Sequence, residues 1–135
     1  MIIRGALYSL ETNVDGSLLA CGNTFGSLDG QSFGGYADCF ISRFNVDGTN
    51  AWNYSFGGQG YENATDLSVG KEGEIYVAGW TANGFEGHAV EGGGYSNPDG
   101  FISKYLDPSL NSSFFLIILP KHLPKVFDLF FLVST

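Results

Sequence analysis

One stretch of this chain is written twice. Asp38-Cys39-Phe40-Ile41-Ser42-Arg43-Phe44 returns 61 residues later as Asp99-Gly100-Phe101-Ile102-Ser103-Lys104-Tyr105. Upstream, Asp15-Gly16-Ser17-Leu18-Leu19-Ala20-Cys21-Gly22-Asn23-Thr24 returns 57 residues later as Glu72-Gly73-Glu74-Ile75-Tyr76-Val77-Ala78-Gly79-Trp80-Thr81. The two offsets differ by four, so the second copy carries four extra residues between its blocks. No other feature constrains the fold as much. A period of this length means one supersecondary unit built twice, each unit burying its apolar face against a neighbour. Stacked units also favour scaffolds and binding surfaces over catalysis.

The unit reads as β-structure. Runs of β-branched and aromatic residues alternate with Gly, Asn and Asp clusters, which predicts strands over 5–12, 17–24, 38–45, 49–56, 63–69, 74–81 and 99–106. Asn13-Val14-Asp15-Gly16 and Asn45-Val46-Asp47-Gly48 place Asp-Gly between strand-like runs, and Lys71-Glu72-Gly73 holds the same place in the second copy. Asp-Gly tolerates the positive φ that tight hairpins need. The connections 25–37 and 82–98, rich in Gly, Ser and Asn, read as surface loops. With 20 Gly, 16% aromatic and 15% charged residues, the composition suits strands and turns, not a helical bundle or a disordered chain. Ile75 and Val77 alternate with Tyr76, Ala78 and Trp80, so both faces of that strand are apolar; Leu18 and Ala20 against Leu19 and Cys21 repeat the pattern. The expectation is an all-β protein whose sheets are covered on both sides. Trp52, Tyr54, Phe56, Tyr76 and Trp80 read as core.

Four antiparallel strands in one period is the anatomy of a β-propeller blade. The recurring elements are a D-x-F-[IV]-x-[KR]-[FY] strand (Asp38–Phe44), an Asp-Gly turn (Asp47-Gly48), an aromatic strand from Trp52 to Phe56-Gly57-Gly58, and a G-x-[IL]-[YL]-[AV]-x-G-x-T strand (Gly73–Thr81). In this order they resemble the SBBP family, the seven-bladed β-propeller repeats, over residues 5–106. The resemblance implies a non-enzymatic repeat belonging to a longer cell-surface or secreted protein, with no catalytic residues to carry over. On this reading 5–61 is a first blade, 62–106 a second, incomplete blade, and 107–135 a divergent hydrophobic segment. Two blades do not close a ring that takes about four to eight, so the expected partners are neighbouring blades of a longer array or further copies of this chain.

The last segment breaks the pattern. All glycines lie at or before Gly100, Leu106-Asp107-Pro108-Ser109 replaces the Asp-Gly turn, and Ser113 stands where Trp52 stands in the first copy. The favoured expectation is that 107–135 is not the natural continuation (a frame shift, a retained intron or a mispredicted gene end). The alternatives are an extra strand with a short amphipathic helix capping the open edge, and a membrane-surface segment, for which Lys121 and Lys125 are few. No window reaches the roughly 18 apolar residues of a spanning helix, and no secretory signal is visible at the N-terminus.

Candidate chemistry is sparse. The net charge is −8, with the whole excess in residues 1–106, which argues against nucleic-acid binding. His88 and His122 are isolated, and no hydrolase, metalloprotease, nucleotide-loop or C-x-x-C motif is present. Cys21 and Cys39 fall on adjacent predicted strands and are read either as two buried thiols or as a disulfide. Calcium at the Asn/Asp turns is weighed against turn geometry, which explains Asp15 and Asp47 without a metal; a calcium-dependent adhesion module stays an alternative. Asp47-Gly48-Thr49-Asn50-Ala51-Trp52 resembles the Asp-box of sialidases, with Gly one place early. A carbohydrate-binding or glycosidase-like propeller is therefore a second alternative, although Arg4 and Arg43 alone make no carboxylate clamp. Asp38 and Asp99 head equivalent strands and are expected to accept loop backbone N–H groups. The candidate contact residues for a protein or glycan ligand are the loop aromatics Phe33, Tyr36, Phe85 and Tyr95.

Overall fold

The computed structural model describes residues 3–28, 30, 34–84, 96, 98–109, 116–118 and 126–131. Nine strands run in chain order: β1 Gly5–Thr12, β2 Leu18–Thr24, β3 Asp38–Phe44, β4 Asn50–Phe56, β5 Glu62–Val69, β6 Glu74–Thr81, β7 Asp99–Leu106, β8 Leu116–Ile118 and β9 Val126–Phe131. The protein is all-β; no helix occurs among the described residues. Strands β1-β2-β3-β4 form one sheet, each pair antiparallel. Strands β5-β6-β7 form a second antiparallel sheet. The seven strands read from the sequence are all present, with ends moved by at most one residue.

Three hairpins share one turn. Asn13 N–H donates to the Ser17 carbonyl (2.8 Å) and Gly16 N–H to the Asn13 carbonyl (3.0 Å); Asn45, Thr49 and Gly48 repeat this at 2.8 and 2.9 Å, and Gly70, Glu74 and Gly73 at 2.7 and 3.2 Å. Gly16, Gly48 and Gly73 sit at φ 83°, 84° and 84°, a conformation only glycine adopts at no steric cost. The Asp15 and Asp47 side chains each accept the N–H two residues on, at 2.9 Å.

The two copies agree in detail that their sequences do not advertise. β1 is bulged at Tyr8 and β5 at Thr65, again 57 residues apart. Phe40 lies over Gly22 on the neighbouring strand, and Phe101 over Gly79: a Cβ on either glycine would come within 2.9 Å or 2.5 Å of the ring and collide with a backbone carbonyl. Glycine here makes room for the aromatic ring, so the repeated Gly and Phe are one packing device.

The sheets stack through one core. Leu19, Cys21, Cys39, Ile41 and Phe56 of the first sheet pack on Ala64, Leu67, Ile75, Val77, Phe101 and Tyr105 of the second. Phe56 meets Phe101 and Tyr105 at ring-centroid distances of 6.3 and 5.1 Å, and Tyr54 meets Tyr105 at 5.5 Å. Polar links cross the same seam: Asn23 Nδ2 donates to Asn63 Oδ1 (2.6 Å), Ser9 Oγ to Asp66 Oδ1 (2.7 Å) and Cys21 Sγ to the Ala64 carbonyl (3.7 Å).

The stack is head to tail. By the repeat, Ile75, Val77, Phe101 and Tyr105 correspond to Leu18, Ala20, Phe40 and Phe44 on the opposite face of the first sheet. The front of the first sheet thus meets the back of the second.

Two expectations need revision. The sheets are not covered on both sides throughout: Tyr76 and Ile102, on the front of the second sheet, are 36% and 46% exposed. Tyr76 is therefore not core; its ring instead lies under Lys104 Nζ, 5.5 Å from the centroid. In the segment read as divergent, β9 pairs in parallel with β7 and β8 adds antiparallel to β9. In the first sheet the same edge is taken by the antiparallel β4. The open edge of β7 is occupied either way, because a bare strand edge leaves N–H and C=O groups without partners.

Candidate functional site

The strands leave the stack two unlike ends. The turn end gathers the three hairpins; the loop end gathers the C-termini of β2, β4 and β6 with the N-termini of β3, β5 and β7.

At the turn end Arg43 ties the sheets together. Its guanidinium pairs with Asp15 (Nη2–Oδ2, 2.5 Å) and with Asp107 of the second sheet's turn (Nε–Oδ2, 3.1 Å), and Nη1 donates to Ser109 Oγ. The Asp107 pair is an ionic contact without hydrogen-bond alignment at Oδ2. Asp107 Oδ1 accepts from Ser109 N–H (2.8 Å), Ser109 Oγ (2.6 Å) and Trp52 Nε1 (3.2 Å). The Asp107 side chain is completely buried, and Arg43 nearly so. Hydrogen bonds from Ser17, then the Arg43 charge, hold the Asp15 carboxyl below its ordinary value despite some desolvation. The residues compared above with an Asp-box are therefore tied down structurally: Asp47 closes its turn on Thr49, and Trp52 anchors to Asp107.

At the loop end no arginine is among the described hydrogen-bond partners of Asp38 and Glu62. Asp38, Glu62 and Asp99 are all buried. Asp38 Oδ2 accepts Gly34 N–H at 2.9 Å, the loop role expected of it. Glu62 Oε2 accepts Gly58 N–H (2.9 Å), and Oε1 lies 3.3 Å from the Thr81 hydroxyl, which donates to the Gly84 carbonyl at 2.7 Å. The described hydrogen-bond donors to this pair are backbone N–H groups. Burial pushes both carboxyls above their ordinary values against the pull of these bonds, and the Asp38 charge pushes Glu62 further. Backbone packs tightly around them: a Cβ on Gly58 would lie 2.4 Å from the Gly84 carbonyl oxygen, and one on Gly35 2.6 Å from that of Gly60.

Of the four loop aromatics, Tyr36 is exposed at this end and stacks on Tyr61 (5.3 Å, interplanar angle 10°). Its backbone is held by Tyr36 N–H donating to the Gly60 carbonyl (2.9 Å). Phe33, Phe85 and Tyr95 lie outside the described residues. Cys21 and Cys39 are both buried and are not joined in a disulfide. Cys21 is paired with Ile41, and Cys39 with Asn23, so the two are offset along the ladder. Desolvation, then the Asp66 charge, pushes the Cys21 thiol up to about 12, which leaves it unreactive at neutral pH. No group of three or more His, Cys, Asp and Glu gathers among the described residues as a metal centre.

Sequence reasoning missed Glu62, Asp107 and Tyr61. Glu62 stands where the first copy has Gly5, and Asp107 where it has Val46, so the signal available was departure from the repeat. Fold and sites define an all-β protein of two stacked antiparallel sheets. No protein-family model matches the chain, and no curated protein matches it.

Proposed function

We propose that this protein is a non-catalytic stacking module of the propeller type, a scaffold unit of a longer surface or secreted array, which joins further units of its own kind through both outer faces. One observation carries this reading. Leu7 and Leu10, on the back of the first sheet, are 54% and 56% exposed. At the repeat offset of 57 residues that the paired bulges share, they correspond to Ala64 and Leu67, which are buried at the seam. Tyr76 and Ile102, exposed on the front of the second sheet, correspond to Leu19 and Ile41, which are buried at the same seam. The front of the second sheet is open at Tyr76 and Ile102, whereas on the back of the first sheet the exposed apolar surface is that of the edge strand β1, since Ala20, Phe40 and Ser42 of the same face are buried. A head-to-tail contact through these two surfaces generates rings or open arrays, not a closed symmetric pair. Exposed apolar patches of this kind mark interaction sites. The stacked Tyr36–Tyr61 pair is the aromatic contact offered to a ligand at the loop end.

Sedimentation velocity of the full chain tests this. Concentration-dependent association is expected. Ile102→Asp on the front, or Leu10→Asp on the back, weakens it at least about tenfold. Mixing the two variants restores one-to-one pairs, because each keeps the face the other lacks. A monomer at every concentration, or variants that do not complement each other, contradicts the proposal.

A further inference from the structure

We propose that the loop end holds an oxygen-preferring divalent cation of calcium's size between the Asp38 and Glu62 carboxylates, beside the Cα of Gly57. This site is independent of the stacking reading. Asp38 is only 3% exposed, and its Oδ1 has no hydrogen-bond partner among the described residues. That oxygen is aimed at a definite place: the point a Cβ on Gly57 would occupy lies 3.2 Å from Asp38 Oδ1 and 2.7 Å from Glu62 Oε2. Two acidic oxygens from different sheets thus converge beside the Gly57 Cα, and a side chain at 57 would be driven between them.

A buried pair of like charges needs a proton or a cation. The surroundings favour the cation. Gly34 N–H and Gly58 N–H each donate to one carboxylate, while the Thr81 hydroxyl, which donates to the Gly84 carbonyl at 2.7 Å, lies 3.3 Å from Glu62 Oε1. A backbone N–H can only donate, so these bonds pull toward the ionised form, against the burial that raises both carboxyls. The burial that pushes both carboxyls up measures how poorly the site holds two negative charges unaided. The backbone around the pair is close-packed, with the Gly58 carbonyl 3.0 Å from the Cβ position of Gly34 and the Gly84 carbonyl 2.4 Å from that of Gly58. Carboxylate and carbonyl oxygens suit calcium, whose coordination tolerates irregular geometry. Two carboxylates place the affinity in the weak class, with Kd of about 10⁻⁴–10⁻³ M.

The test is thermal melting of the full chain in chelator, in calcium chloride, and in sodium chloride of equal ionic strength. About 10 mM calcium is expected to raise Tm by about 5 °C, because a ligand that binds only the folded state stabilises it. Sodium chloride should not reproduce the rise. Asp38→Asn and Glu62→Gln should each abolish it, and Asp47→Asn, at an exposed turn, should keep it. Because a variant in a buried pair can fail to fold, tyrosine-sensitised terbium emission from the unaltered chain, displaced by calcium, supplies a second readout. The proposal is overturned by an unchanged Tm, by a rise that survives both substitutions or that sodium chloride matches, or by the absence of terbium emission. A proton shared by the pair in place of the cation would show as the first of these outcomes.

Discussion

The two ends of the stack hold buried carboxylates by opposite means. At the turn end, Asp107 is completely buried and lies 3.1 Å from Arg43, which also pairs with the exposed Asp15. At the loop end, Asp38 and Glu62 are equally buried, yet their described hydrogen-bond partners are neutral. A carboxylate paired with a guanidinium keeps its charge; one packed against another carboxylate resists it. The contrast separates a carboxylate balanced by a guanidinium from a pair whose described hydrogen-bond partners supply no counter-charge.

Breaking the turn end gives the largest expected effect. Arg43→Met leaves Asp107 buried without its cation, which costs about 3–5 kcal/mol; urea unfolding should show this as a lower midpoint, and a loss below 1 kcal/mol would mean that Asp107 is held by Ser109 and Trp52 alone. Trp52→Phe comes next. It removes the indole N–H from Asp107 and Ser109 while keeping the ring against the core, at a cost of about 1 kcal/mol.

The smallest effect is also the one that separates the ends most directly, because their pH responses have opposite sign. Asp38 and Glu62 are raised from ordinary values of 3.8 and 4.5, so the folded state holds their protons more tightly than the unfolded chain. Their favourable contribution is fully present below those ordinary values and is lost as pH rises through the raised ones. Asp15 is lowered from 3.8, so its contribution is present above 3.8 and lost as pH falls through the lowered value. In chelator, lowering the pH from about 7 to about 5 should therefore raise Tm slightly, and Glu62→Gln should flatten that rise. A Tm that falls over this window in the parent chain would place the loop-end charges with a counter-ion other than a removable cation.

Local structure was written plainly in the chain. Strand positions followed from alternating apolar residues, because a pleated strand sends successive side chains to opposite faces. The hairpins followed from Asp-Gly, because glycine alone reaches φ near 84° without strain. The role of Asp38 as an acceptor for loop N–H groups was legible from its place at the head of a strand. Less could be read where residues depart from the repeat. Leu106-Asp107-Pro108-Ser109 looked like the point where the pattern fails, yet Asp107 and Ser109 close the seam on Arg43 and Trp52. Tyr76 looked like core because its strand is apolar on both faces, and it is exposed because nothing among the described residues covers that front.

The sequence by itself determined the class of fold, the repeat, the turns and most strand boundaries, since these depend on residues close together in the chain. Only the tertiary structure decided that the sheets stack front to back, that β9 joins β7 in parallel, and that Asp38 and Glu62 converge beside Gly57. Those outcomes depend on which faces meet. A period-2 pattern that is apolar on both sides leaves that choice open, and packing between distant strands makes it.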